Sequence, residues 1–182
     1  SLFTGAKTGK KRSFVEAERW AYWTAVILFF GFAWLELVHP SPMDPETLAG
    51  FISLYALLTT LGMVVFGGEF WLKNGEPFSV FFRMVGWLAP FYLKRSAGQK
   101  SRLRIGIRWP CAGLLRSESL PTGGVAFVIL VLSTVSFDGL SKTFWWLSLV
   151  EKNPLEFPGR TEMMMPNTLG LCITFMIFFS AF

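Results

Sequence analysis

The chain has 182 residues, of which 52% are hydrophobic and only 16% charged, with a formal net charge of +5. Soluble domains run to about 25% charged residues, and they rarely gather apolar residues into near-uncharged blocks of membrane length. The excess of basic residues falls between those blocks, so anionic lipid headgroups rather than nucleic acid are the expected partner.

Residues 1–19 are polar and basic, carrying Lys7, Lys10, Lys11, Arg12 and Arg19. They read as a solvated flank that sets orientation, and no small-residue cleavage site follows the next apolar run. Trp20, Tyr22 and Trp23 suit the headgroup level. A first span is expected over about 21–38, apolar until Glu36 and stopped by His39-Pro40-Ser41-Pro42, because proline has no amide hydrogen to continue a helix. Asp44-Pro45-Glu46-Thr47 then reads as a helix start, with acids at the positive end of the dipole. A second span follows over about 48–66, ending at Gly67-Gly68.

The run from Pro77 to Pro90 is too short to cross a bilayer, which needs about 20 residues. A short helix over about 77–90, interfacial or re-entrant, is the expectation, with Arg83 snorkelling to the headgroups. The next segment is strongly basic. Its Arg102-Leu103-Arg104-Ile105-Gly106-Ile107-Arg108 has period two and would suit a strand or hairpin at the membrane surface, although a positive loop is the plainer reading. A third span is expected over about 122–140, with Asp138 near its far end. An aromatic loop over 141–166 precedes a fourth span from about Asn167 to Phe182. At about 16 residues that last span is short of a crossing, so the chain is expected to be a piece of a longer protein with a single integral membrane domain.

The fold class that follows is all-α: a polytopic transmembrane helical protein with one interfacial or re-entrant short helix. Residues 1–19 and 68–120 together hold fourteen of the seventeen basic residues. The positive-inside rule therefore puts the amino terminus and the 68–120 segment in the cytoplasm, and the loop 141–166 in the periplasm or outside.

Acids at span ends are the first candidates for chemistry, because a charge held inside a bilayer is costly and is kept for a reason. Asp138, Glu36 and Glu69 lie near interfaces, where the plainer reading is interfacial or salt-bridged acids; the alternative is a proton, ion or substrate path, with Asp138 near the outer mouth and Arg83 and Glu69 on the inner side. Asp138 leads, with an apolar run before it and Gly139 and an aromatic cluster after it. His39 is the only histidine. Beside Met43, and on the same side as Met163-Met164-Met165, it is a weak candidate for a soft metal such as copper(I), but one imidazole cannot make a bis-histidine haem or a three-histidine zinc site. Cys111 and Cys172 lack a CxxC spacing and fall on either side of a span, against a disulfide. Neither GxSxG nor HExxH is present, and no base is evident beside Ser136 or Ser141. The twenty Phe and eight Trp would line an apolar ligand pocket but equally fill helix interfaces, so the cofactor stays open.

FGGEFWLKNGEPF (66–78) and FDGLSKTFWWLSLVEKNPLEF (137–157) share an aromatic–glycine–acid exit, a Phe-Trp, and a Lys-Asn before a proline. On the expected topology they lie on opposite membrane faces, as inverted repeats of transporters do. The blocks GEPFSVFFRMVGWLAPF (75–91) and VSFDGLSKTFWWLSLVEKNPLEFPGR (135–160), followed by PNTLGL (166–171), resemble a family of uncharacterised polytopic bacterial inner-membrane proteins, some of them labelled fenitrothion hydrolase-like. The resemblance covers roughly 67–171. It implies a longer multi-span protein of the bacterial inner membrane and carries no catalytic residues to this sequence. Three functions are expected in order: a transporter or permease for a small solute or ion, a non-catalytic subunit packed among partner membrane subunits, and a membrane-embedded hydrolase whose nucleophile or metal set lies elsewhere.

Overall fold

The computed structural model describes residues 3–95, 103–116, 120–153 and 159–182, with side chains over 20–93, 105–115, 120–153 and 159–182. Lys100, Arg102 and Glu156 lie outside the described residues. Seven α-helices and one two-stranded hairpin follow in the order α1 (Phe3–Leu37), α2 (Pro45–Phe66), α3 (Gly68–Asn74), α4 (Pro77–Leu88), β1 (Phe91–Arg95), β2 (Leu103–Ile107), α5 (Thr122–Ser141), α6 (Phe144–Leu149) and α7 (Arg160–Ala181). Among the described residues four helices are long and apolar enough to cross a membrane: α1 over Trp20–Leu37, then α2, α5 and α7. The chain is therefore a helical membrane protein. The four spans alternate in direction, so one end of the bundle gathers the start of the α1 span, the α2–α3 junction and the start of α5. That end is the more basic one. The other gathers the 39–44 turn, α6 and the start of α7.

Two boundaries differ from the sequence reading. The basic stretch before Arg19 is helical, since α1 runs unbroken from Phe3 into the membrane-length segment that begins at Trp20. The fourth span starts at Arg160 rather than near Asn167, and its 22 residues are enough to cross. Pro166 lies inside α7. A proline costs a helix one backbone hydrogen bond and crowds the preceding turn, but a membrane helix tolerates it when neighbours hold that turn. Here Asn167 and Thr168, directly after it, accept hydrogen bonds from the indoles of Trp146 (3.0 Å) and Trp34 (3.1 Å).

The core is α1, α5 and α7, with α4 packed against α1. Small residues let these backbones approach, as expected where lipid rather than water is the competing solvent. Ala25, Ala33, Gly123, Gly124, Ala126 and Ser133 are all buried. One cluster, at the basic end, packs Tyr22, Val26 and Phe29 of α1 on Val80 of α4 and Phe127 and Leu130 of α5. The other packs Ala33 and Val38 on Phe137, Trp146, Met163 and Leu171. Ser133 inside the core donates to the Ile129 carbonyl at 2.7 Å, so its hydroxyl is satisfied within its own helix.

α2 stands apart, and Gly62 is its one buried residue. Asp44 starts it as the N-cap, its carboxylate accepting the Thr47 amide at 2.9 Å, with Pro45 in the first turn. That hydrogen bond holds the Asp44 carboxyl below its ordinary range. A depressed carboxylate contributes stability above its unfolded-state value and loses it as the pH falls through the depressed value. Acidification below the ordinary aspartate range is therefore expected to lower the protection factor of the Thr47 amide, its exchange measured against the intrinsic rate at the same pH. In Asp44→Asn the protection factor should not change over that range, and a wild-type protection factor that is equally constant would refute the cap's role.

Candidate functional site: a buried carboxylate at the tip of a helical hairpin

α2 does not lead away from the bundle. Gly67 ends it with φ of 84°, a conformation that suits glycine, and the same residue caps the start of α3. The chain thus reverses on one residue and runs back along α2. Trp71 marks the descent: its ring stacks on Phe66 at 5.7 Å and fills the space where Gly62 lacks a side chain. A Cβ on Gly75 would lie 2.6 Å from the same ring, so both glycines are needed to seat it.

α3 stops at Asn74, and after Gly75 and Glu76 the chain reverses again into α4, with Pro77 in its first turn. Glu76 is the N-cap. Its carboxylate accepts the Phe78 amide at 2.9 Å, the Ser79 amide, and the hydroxyl of Tyr55 from α2. Tyr55 lies eleven residues before Phe66, or about 16 Å along the helix at 1.5 Å per residue. A hydrocarbon core is about 30 Å thick, so the hairpin tip reaches the middle of the span. Phe78 confirms the depth from the other side, meeting Phe32 of α1 at 5.2 Å and Tyr55 at 5.8 Å. From there α4 climbs back beside α1, through Phe81 against Phe29 at 6.4 Å to Arg83 against Tyr22. The 77–88 helix thus packs back along α1 from a tip level with mid-α2.

The broken pair of helices is electrostatically matched. The amides at the α4 start carry the positive end of its dipole, and Glu76 lies on them. Arg83 reaches back to the Lys73 carbonyl in the last turn of α3, where the dipole is negative, and its other nitrogen donates to the Tyr22 hydroxyl at 2.6 Å. The guanidinium also sits 5.8 Å from the Tyr22 ring centroid. Arg83, partly buried, is thus tied to the end of α3 and to Tyr22 near the start of the α1 span.

Glu76 is 4% exposed and Asn74 2%. Beside Glu76 in sequence, the Asn74 Oδ1 at the end of α3 is buried without a hydrogen-bond partner. A buried polar atom without a partner costs about 1–3 kcal/mol. The tip therefore combines one carboxylate with an acceptor atom that a small polar donor would satisfy.

The residues singled out from sequence lie elsewhere, Arg83 excepted. Glu69 and Glu36 are exposed at opposite ends of the bundle. Asp138 pairs with Lys142 one turn on, at 2.8 Å, with both side chains substantially exposed. His39 packs its ring between Trp34 and Phe51, at 5.8 and 5.9 Å, and its Nδ1 accepts the Ser41 amide at 3.2 Å. Met43 is 79% exposed, whereas Met163 is buried in the core. Among the described residues no three His, Cys, Asp or Glu side chains are grouped to hold a metal.

The two echoing sequence stretches share a structural device at opposite ends. Each holds a short helix after a long one, and in each a tryptophan is buried against a glycine: Trp71 on Gly62, Trp146 on Gly170. No family profile, characterised protein or solved structure matches the chain. The resemblance to the inner-membrane family therefore rests on the two sequence blocks alone.

Proposed function

We propose that the protein is a transporter- or permease-like membrane protein that moves a small solute or ion, and that Glu76 is its principal site. The observation that carries this reading is a buried carboxylate at the tip of a broken helix pair, level with the middle of α2. Discontinuous helices that meet at mid-membrane present dipole ends and free backbone groups to a cargo, the arrangement used by many secondary transporters. The unpartnered Asn74 Oδ1, two residues before Glu76, supplies a further contact. Arg83 and Tyr22 lie between this tip and the basic end. Asp138 serves at the far mouth, and the basic end faces the cytoplasm of a bacterial cell by its charge.

Reconstituted vesicles with a trapped pH-sensitive dye, or loaded with labelled sodium, potassium or chloride, test this under an imposed membrane potential. Flux is expected to fall at least tenfold in Glu76→Gln, while Asp138→Asn retains most of it. The reverse ranking would move the site to the far end, and a wild-type protein with no flux of any of these ions would refute ion movement. A second reading is favoured by α2, whose surface is almost wholly uncovered: a subunit that packs this helix against partner membrane proteins. Co-purification of a partner in mild detergent would support it, and a clean monomer would count against it.

A further inference from the structure

The β1–β2 hairpin pairs Phe91 with Ile107, Tyr92 with Gly106 and Leu93 with Ile105. Alternate residues of a strand point to opposite faces, so Phe91, Leu93, Ile105 and Ile107 share one face. Each of them is at least 60% exposed, as is Trp109 just beyond. The other face is filled. Tyr92 lies over Gly106, where a side chain would collide with it, and the Arg108 guanidinium sits 5.9 Å from the Tyr92 ring. A two-stranded ribbon is at best marginally stable in water without an apolar surface to rest on.

The base of the hairpin is fixed to the end of α4. Arg108 donates to the Ala89 carbonyl at 2.9 Å and to the Gly86 carbonyl at 2.8 Å, and its own amide donates to the Pro90 carbonyl at 2.7 Å. The ribbon thus leaves the bundle where α4 does, at the basic end, beside the bilayer surface. Between Phe91 and Trp109 the sequence carries Lys94, Arg95, Lys100, Arg102, Arg104 and Arg108, and no acid. Basic residues flanking an apolar face are the pattern that anionic leaflets attract.

We propose that this hairpin is a membrane-docking element, with the Phe91, Leu93, Ile105 and Ile107 face lying in an anionic lipid leaflet to which the basic, acid-free sequence of the ribbon is attracted. The proposal is independent of the transport reading and stands whether or not the protein moves an ion.

The test uses the whole chain, with Cys111→Ser and Cys172→Ser, reconstituted in vesicles of mixed phosphatidylcholine and phosphatidylglycerol. A nitroxide is attached at Ile105→Cys, separately at Leu93→Cys, and at Tyr92→Cys as the opposite face. Collision with oxygen, relative to a water-soluble nickel chelate, is expected to be several-fold higher at 105 and 93 than at 92. Water-like collision at both 105 and 93 would overturn the proposal. Spin–spin broadening that disappears on dilution with unlabelled protein would overturn it in favour of a second copy on this face. Equal oxygen bias in pure phosphatidylcholine would overturn the role assigned to anionic lipid, whereas a weaker bias there supports it.

Discussion

Replacing Glu76 by alanine is expected to destabilise the protein by roughly 3–5 kcal/mol. Three donors converge on this carboxylate: the Phe78 and Ser79 amides and the Tyr55 hydroxyl. Alanine removes the acceptor and leaves all three at mid-span, where no bulk water replaces it. Thermal unfolding in detergent, followed by helical circular dichroism, reads the loss. Glu76→Gln keeps one acceptor oxygen and is expected to lose less than half as much. Tyr55→Phe removes one of the three donors and leaves the carboxylate with the two amides, and should cost about 1.5–2 kcal/mol. In a double-mutant cycle the pair should couple by about 1–2 kcal/mol. An alanine variant as stable as the parent would mean that the hairpin is not seated by its tip.

The second large effect is steric. A Cβ on Gly170 would fall 2.5 Å from the Trp146 ring and closer still to the ring of Phe137. Those two rings meet edge to face at 5.4 Å and are both buried, so neither can swing aside. Gly170→Val should therefore cost about 2–3 kcal/mol through overpacking. It should also free the Trp146 indole from Asn167, visible as a shift in the indole's resonance. Gly31, with nothing within 4 Å of its would-be Cβ, is the control: Gly31→Ala should be neutral or slightly stabilising. If Gly170→Val matches Gly31→Ala, the close approach of α5, α6 and α7 is not real.

The spans were legible because each is a long apolar run with a breaker at its end. Asp44-Pro45 announced α2, and the structure seats Asp44 as its cap. The same acid-proline pair recurs at Glu76-Pro77, and it was the signal available for the buried site. It was missed because a carboxylate's depth depends on where the chain returns, and one residue, Gly67, turns α3 back along α2. Hydropathy along the sequence holds no record of that reversal. Asp138 attracted attention for the opposite reason: it is an acid at the end of an apolar run, but Lys142 one turn on meets it at the surface. The start of α7 was hidden by Pro166. Read alone it is a helix breaker, and only the hydrogen bonds that Asn167 and Thr168 accept from α6 and α1 show how the turn around it is held. Period two over 102–108 allowed a strand, yet a positive loop was the plainer reading, because nothing in that period marks 91–95 as the partner that makes it a hairpin.

The hairpin of α3 and α4 also bears on how the chain is assembled. With 7 and 12 residues, neither helix is long enough to be threaded across a bilayer by a translocon, and between them they carry a carboxylate that lipid would reject. Their seat is made by other helices: Gly62 and Tyr55 on α2, Tyr22, Phe29 and Phe32 on α1. Both of those helices are synthesised first. The hairpin is thus expected to wait at the membrane surface until its two walls have been released side by side, and to sink between them afterwards as a single folding step.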